Sequence, residues 1–159
     1  MKSILIIGTK DGGKSTTITE VCKMLNPTKV YKLNTVEKKI EIAKVEDIFN
    51  NTFIIEVNGK YILVVAGAPT EQNITLKILI EICIQIEIKI SFLLVSKRTS
   101  ERKDGFNTNK DINDFSTLIH TEKISPFPLT DNNDSNSFKQ NLDWKNRITK
   151  ISKLILENI

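Results

Sequence analysis

Lys14 and Ser15 follow two glycines, Gly12 and Gly13, and a third, Gly8, stands six positions before the lysine. A phosphate chain carries several negative charges, and successive backbone N–H groups at a helix start can point at it. Gly8 and Gly13 let the chain turn tightly and approach such a ligand with no Cβ in the way. Lys14 would neutralise charge on the outer phosphates, and the Ser15 hydroxyl would be a ligand for Mg2+. Thr16 adds a hydroxyl near the inner phosphate, and Asp11 and Gly12 lie within the same turn. The candidate phosphate-binding set is therefore Gly8, Asp11, Gly12, Gly13, Lys14, Ser15 and Thr16.

Such a turn must be held between a strand and a helix. Before it, Ile4-Leu5-Ile6-Ile7 is an apolar run that reads as a buried strand. After it, Thr16 to Leu25 reads as a helix, with Ile18, Val21, Cys22 and Leu25 spaced along one face. The stretch Gly8 to Ser15 fits G-x-x-x-x-G-K-[ST], the Walker A pattern. On this pattern the chain resembles the P-loop NTPase superfamily. The run Lys10 to Thr17 is also similar to the loops of ParA/MinD-like ATPases. Those loops carry a second lysine just after the first glycine; here Thr9 holds that place and Lys10 comes one later.

The next clear local signal is Asn58-Gly59, set between Thr52–Val57 and Lys60–Ala66. Asn-Gly between two strand-like runs predicts a hairpin, because a type I′ turn needs positive φ at both central residues. Ile62 to Ala66 is nearly continuous apolar sequence, as expected at a sheet centre, which makes Thr52–Val57 an antiparallel edge strand. A hairpin before the central strand resembles the small GTPases, and also compact bacterial P-loop proteins described only as ATP-binding.

The resemblance implies a carboxylate at the end of that central strand, holding Mg2+ through water. The strand ends Val64-Val65-Ala66-Gly67-Ala68-Pro69, so Ala66 or Gly67 stands where the acid belongs. The nearest acids are Glu71, Asp11 and Glu56. The pattern D-x-x-G fails on Ala66 to Pro69, and the guanine-reading N-K-x-D is absent from Ser96–Thr99 and Asn109–Ile112. Cations are available instead. Ile90 to Val95 reads as a parallel strand, and the basic run Ser96 to Gly105 follows its carboxyl end, where open α/β sheets bind ligands. Lys14, Arg98 and Arg102 are the candidate catalytic residues, with a solvated charged loop as the alternative reading of the last two.

Elsewhere the expectations are plain. Val30–Leu33 is a short strand, and Asn34 to Asn51 is a polar surface connection with a short helix. Gln72 to about Glu87 is a helix, although isoleucine alternates at 80, 82, 84, 86, 88 and 90. Asp111 to His120 is a short helix, Lys123 to Leu129 an edge strand, Thr130 to Ser137 a loop, and Phe138 to Ile159 a helix anchored by Trp144. Cys22 and Cys83 lie in apolar surroundings and read as buried hydrophobes, and a lone histidine, His120, excludes a His-cluster metal site.

With 159 residues, 40% hydrophobic and 26% charged, the chain is sized for one domain, residues 1–159. A net charge of +4 suits an anionic ligand and gives no strong nucleic-acid signal. The apolar region Ile74–Val95 is interrupted by Lys77, Glu81, Glu87 and Lys89, so no membrane span is expected and the location expected is cytoplasmic. The expected fold is α/β: a three-layer P-loop NTPase sandwich, with a mainly parallel sheet of about five to six strands and an antiparallel hairpin edge. The expected function is binding of ATP with Mg2+, GTP being the alternative nucleotide, with slow or partner-activated hydrolysis that a protein partner would stimulate. A GTPase-like switch, a small-molecule or nucleotide kinase and a non-catalytic nucleotide-binding scaffold are the alternatives.

Overall fold

The computed structural model describes residues 1–9, 12–124 and 142–159. In chain order it runs β1 (Lys2–Gly8), α1 (Lys14–Leu25), β2 (Lys29–Asn34), β3 (Lys39–Ile42), a 3-10 turn (Val45–Asp47), β4 (Thr52–Val57) and β5 (Lys60–Val65). Then come α2 (Pro69–Gln72), α3 (Leu76–Gln85), β6 (Ile90–Arg98), α4 (Thr108–Phe115), β7 (Thr117–Ile124) and α5 (Leu142–Asn158). The fold is α/β, with one mixed sheet of seven strands in the order β3-β2-β4-β5-β6-β1-β7. The pairings β1–β6, β1–β7 and β5–β6 are parallel; β2–β3, β2–β4 and β4–β5 are antiparallel.

Alternation along the strands divides the core in two. Ile4, Ile6, Ile62, Val64, Phe92 and Leu94 pack with α1 and with Trp144, Ile148, Ile151 and Ile155 of α5. Leu5, Leu63, Val65, Leu93 and Val95 pack with α3 and with Ile112 of α4 on the opposite face. Both cysteines are buried in these layers and free. Burial raises both thiols, that of Cys83 to about 12, so neither is a nucleophile at neutral pH. Among the described residues no helix is long and apolar enough to cross a membrane.

The hairpin is present: Asn58 and Gly59 have φ of 51° and 74°, and β4 and β5 pair antiparallel across them. Its first strand is not the sheet edge. β2 pairs with β4, and β3, which lies inside the stretch expected to be a surface connection, pairs with β2 and forms the edge. Lys39-Ile40-Glu41-Ile42 alternates polar and apolar, but four residues among charges are too short a run to stand out from a solvated linker. The sheet accordingly exceeds the expected five to six strands.

The helix expected from Gln72 is broken at Asn73, whose φ is 58°. Thr75 then caps α3, its side chain accepting from the Ile78 N–H at 3.2 Å. The helix expected at Asp111–His120 lies earlier, at Thr108–Phe115, capped by Asn107 accepting from the Lys110 N–H. His120 stands instead on β7, whose β-branched sequence pairs parallel with β1 and covers only the start of the strand expected at Lys123–Leu129. Residues 125–141, which hold the rest of that strand, the expected loop and the start of the last helix, lie outside the described residues.

Candidate functional site

β1 and β6 lie side by side and parallel, with Gly8 in register with Arg98. Their onward connections leave for opposite faces: α1 packs on one, α4 on the other. A crevice opens at such a switch point, on the carboxyl edge of the sheet. The Gly8 carbonyl accepts from the Thr99 N–H at 3.1 Å, which ties the glycine-rich loop to the segment after β6.

Within the loop, the Gly12 N–H donates to the Thr9 carbonyl at 3.0 Å. A Cβ on Gly12 would lie 2.9 Å from that oxygen, so the turn requires glycine there. Gly13 caps α1 at φ 93°, and among the described residues nothing beyond its chain neighbours and its own helix lies within 4 Å of where its Cβ would be. The first-turn N–H groups of a helix have no partner within the helix itself, and they carry the positive end of its dipole. Lys14, the first residue of α1, is only 5% exposed; its Nζ donates to the Thr9 carbonyl at 2.7 Å. Asp11, and Lys10 before it, lie outside the described residues.

The Ser15 hydroxyl donates to the Ala66 carbonyl at 2.8 Å and lies 3.2 Å from Asn50 Oδ1. The end of β5 thus presents Ser15 with a carbonyl where a carboxylate was sought. Asn50 itself carries φ 55° and is held close: a Cβ on Gly67 would fall 2.2 Å from the Asn50 carbonyl oxygen. Thr19 also hydrogen-bonds the Ile48 carbonyl, so the segment before β4 is fastened to α1 at two places. Thr16 is half-buried. Thr17 is fully buried, and its Oγ1 has no hydrogen-bond partner among the described residues.

Of the two described candidate acids, Glu71 and Glu56, Glu71 is the one brought to the loop. Pro69 opens α2 and places Glu71 in its first turn. Glu71 Oε1 lies 3.6 Å from Lys14 Nζ and 3.3 Å from Arg98 Nε. Glu56 is at the opposite end of the strands, beside the Asn58–Gly59 turn. It pairs with Lys29 at 3.8 Å and accepts a hydrogen bond from Tyr61, which raises the phenol above its ordinary value. It has no place at the loop. Arg98 belongs to the last position of β6 rather than to the basic loop. Arg102 is exposed, and no ion pair or hydrogen bond joins it to the glycine-rich loop among the described residues. Glu101, beside it, caps α4 by accepting from the Thr108 N–H at 2.7 Å.

The sequence reading missed Asn50 and named Glu71 only as one of three acids near the missing carboxylate. Pro69-Thr70-Glu71 is a helix-start signature, but nothing in it says that the carboxylate folds back to Lys14. Comparison of the chain with protein-family models, with curated proteins and with solved structures finds no match.

The residues present fit an anionic, phosphate-bearing ligand. The start of α1 and two converging cations, Lys14 and Arg98, favour negative charge. For a divalent cation the fit is narrower. Ser15 supplies one hydroxyl, and other oxygens would have to come from the ligand and from water, as Mg2+ commonly arranges.

Proposed function

We propose that the chain is a P-loop type nucleotide-binding protein that takes a nucleoside triphosphate with Mg2+, ATP first and GTP as the alternative, and hydrolyses it slowly unless a protein partner assists. One observation carries the reading: Gly13 at positive φ opens α1, and Lys14 follows it at the β1/β6 switch point, facing Arg98 across Glu71. The bound Mg2+ would neutralise charge on the phosphate oxygens. The loop amides and Lys14 would hold the phosphate chain, Ser15 would exchange its bond to the Ala66 carbonyl for the metal, and Arg98 would add positive charge from β6. Slow hydrolysis follows from Ala66, since phosphoryl transfer depends on positioning and charge neutralisation and this strand end orders no metal shell. The same observation favours a second reading, a nucleotide-binding scaffold with no turnover.

The test is a thermal-shift titration with ATP, ADP, GTP and GDP, with and without Mg2+. A ligand at 100 times its Kd adds about 2.7 kcal/mol to the folded state. We expect the Mg2+ complexes of one base to raise the melting temperature. No shift with any of the four would remove the reading.

A further inference from the structure

Two cations reach one carboxylate oxygen at this site, and neither lies there by surface chance. Lys14 Nζ and Arg98 Nε stand 3.6 and 3.3 Å from the same Oε1 of Glu71. Lys14 is buried, and an ammonium withdrawn from water requires an anion or hydrogen-bond acceptors beside it. Glu71 supplies negative charge, and the Thr9 carbonyl accepts one of the N–H bonds. The backbone under Glu71 is fixed independently. Gln72 Nε2 donates to the Gly67 carbonyl, and the Thr52 hydroxyl donates to Gln72 Oε1 at 3.0 Å. Glu71 is itself 27% exposed, so its side chain can turn to solvent while α2 stays in place.

We propose that Glu71 is an internal anion holding the place of a terminal phosphate, and that it sets the preference of this site between nucleoside tri- and diphosphates. The inference rests on the nucleotide-binding reading above. A phosphate seated on both Lys14 and Arg98 stands where the Glu71 carboxylate stands. Two anions in one site repel, so the carboxylate must leave when the phosphate arrives. A triphosphate reaches far enough to force that exchange. A diphosphate ends one phosphate earlier: its last phosphate would reach Lys14 but not Arg98, and Glu71 keeps its contact with Arg98. The carboxylate therefore penalises the triphosphate selectively, a discrimination made by repulsion rather than by an added contact.

The experiment is calorimetric titration of MgATP, MgADP, MgGTP and MgGDP into the unaltered protein, Glu71→Gln and Glu71→Asp, each checked for cooperative thermal unfolding. Glu71→Gln keeps the shape and removes the charge. It should tighten triphosphate binding ~10-fold and change diphosphate binding by no more than about twofold. Glu71→Asp, which keeps the charge but draws it back by one methylene, should fall between. Equal changes for tri- and diphosphate would overturn the inference and leave the nucleotide reading standing. Weaker triphosphate binding by Glu71→Gln would also overturn it, and would make Glu71 a metal-orienting acid. Binding of no nucleotide by any of the three proteins would overturn both.

Discussion

Two glycines with positive φ stand at opposite edges of the sheet, Gly13 at 93° and Gly59 at 74°. Among the described residues, an added Cβ at either would meet nothing beyond its immediate chain neighbours within 4 Å. Their local requirement is the same, a left-handed backbone that L side chains resist. What surrounds them differs. Gly59 closes a turn that brings β4 alongside β5, and it is exposed at the end of a hairpin. Gly13 opens a helix, and a lysine, an arginine and a carboxylate gather beside it. A glycine turn is therefore a statement about backbone only; the charges that long-range folding brings to it decide whether it binds anything.

Removing Lys14 tests that difference most severely. Lys14→Ala should weaken triphosphate binding ~1,000-fold, about 4 kcal/mol, with cooperative unfolding retained. Equal affinity in the variant, measured by calorimetry, would make Gly13 no more functional than Gly59. Gly67→Ala comes next. Its Cβ would overlap the Asn50 carbonyl, so backbone must move, at a cost of about 3 kcal/mol, the upper range for a single substitution. The melting temperature should fall by roughly 6–12 °C. A fall of a degree or less would show that the Asn50 segment is not seated against β5. Gly59→Val, with Asn58→Ala alongside, is the control at the other edge. We expect a loss of about 2 kcal/mol from the strained turn and unchanged nucleotide affinity. An affinity change there would tie the two edges together and dissolve the contrast.

Both glycine turns were legible in the sequence because each is a contiguous pattern flanked by apolar runs: Ile4–Ile7 and the α1 stripe for one, Phe53–Ile55 and Ile62–Val65 for the other. Arg98 was legible as a residue near the carboxyl edge, but β6 runs three residues past the Val95 expected to end it, so its place in the strand was not. β3 was not, because its four residues alternate within a charged stretch and gain their place only by pairing with β2. The break at Asn73 was hidden because Asn73, Lys77, Glu81 and Gln85 recur every four residues and read as one continuous polar helix face. The helix expected at Asp111 starts three residues earlier, at Thr108, where Asn107 caps it. Glu71 and Asn50 lie far along the chain from Lys14 and Ser15, and no local pattern records which long-range neighbours the sheet order will give them.

The smallest effect separates two arginines that the sequence could not rank. Arg98 and Arg102 both follow the same apolar strand, and either could supply positive charge to a phosphate. The strand runs on to Arg98, which fixes its backbone in register with Gly8 and its Nε 3.3 Å from Glu71. Arg102 stands past the strand, exposed, on a segment whose anchor is Glu101 capping α4. An arginine fully engaged on a transferring phosphoryl group can be worth ~10³–10⁵ in rate. Arg98 is 36% exposed and must share its charge with Glu71, so a much smaller effect is expected. Arg98→Ala should lower turnover about tenfold, near 1.4 kcal/mol in the barrier, and weaken nucleotide binding less than that. Arg102→Ala should change neither by more than about twofold. Steady-state hydrolysis and calorimetric affinity on both variants decide it. A larger loss from Arg102→Ala would mean that the segment after β6 folds over the site when nucleotide binds. Equal turnover in all three proteins would leave the loop amides and Lys14 as the whole of the machinery.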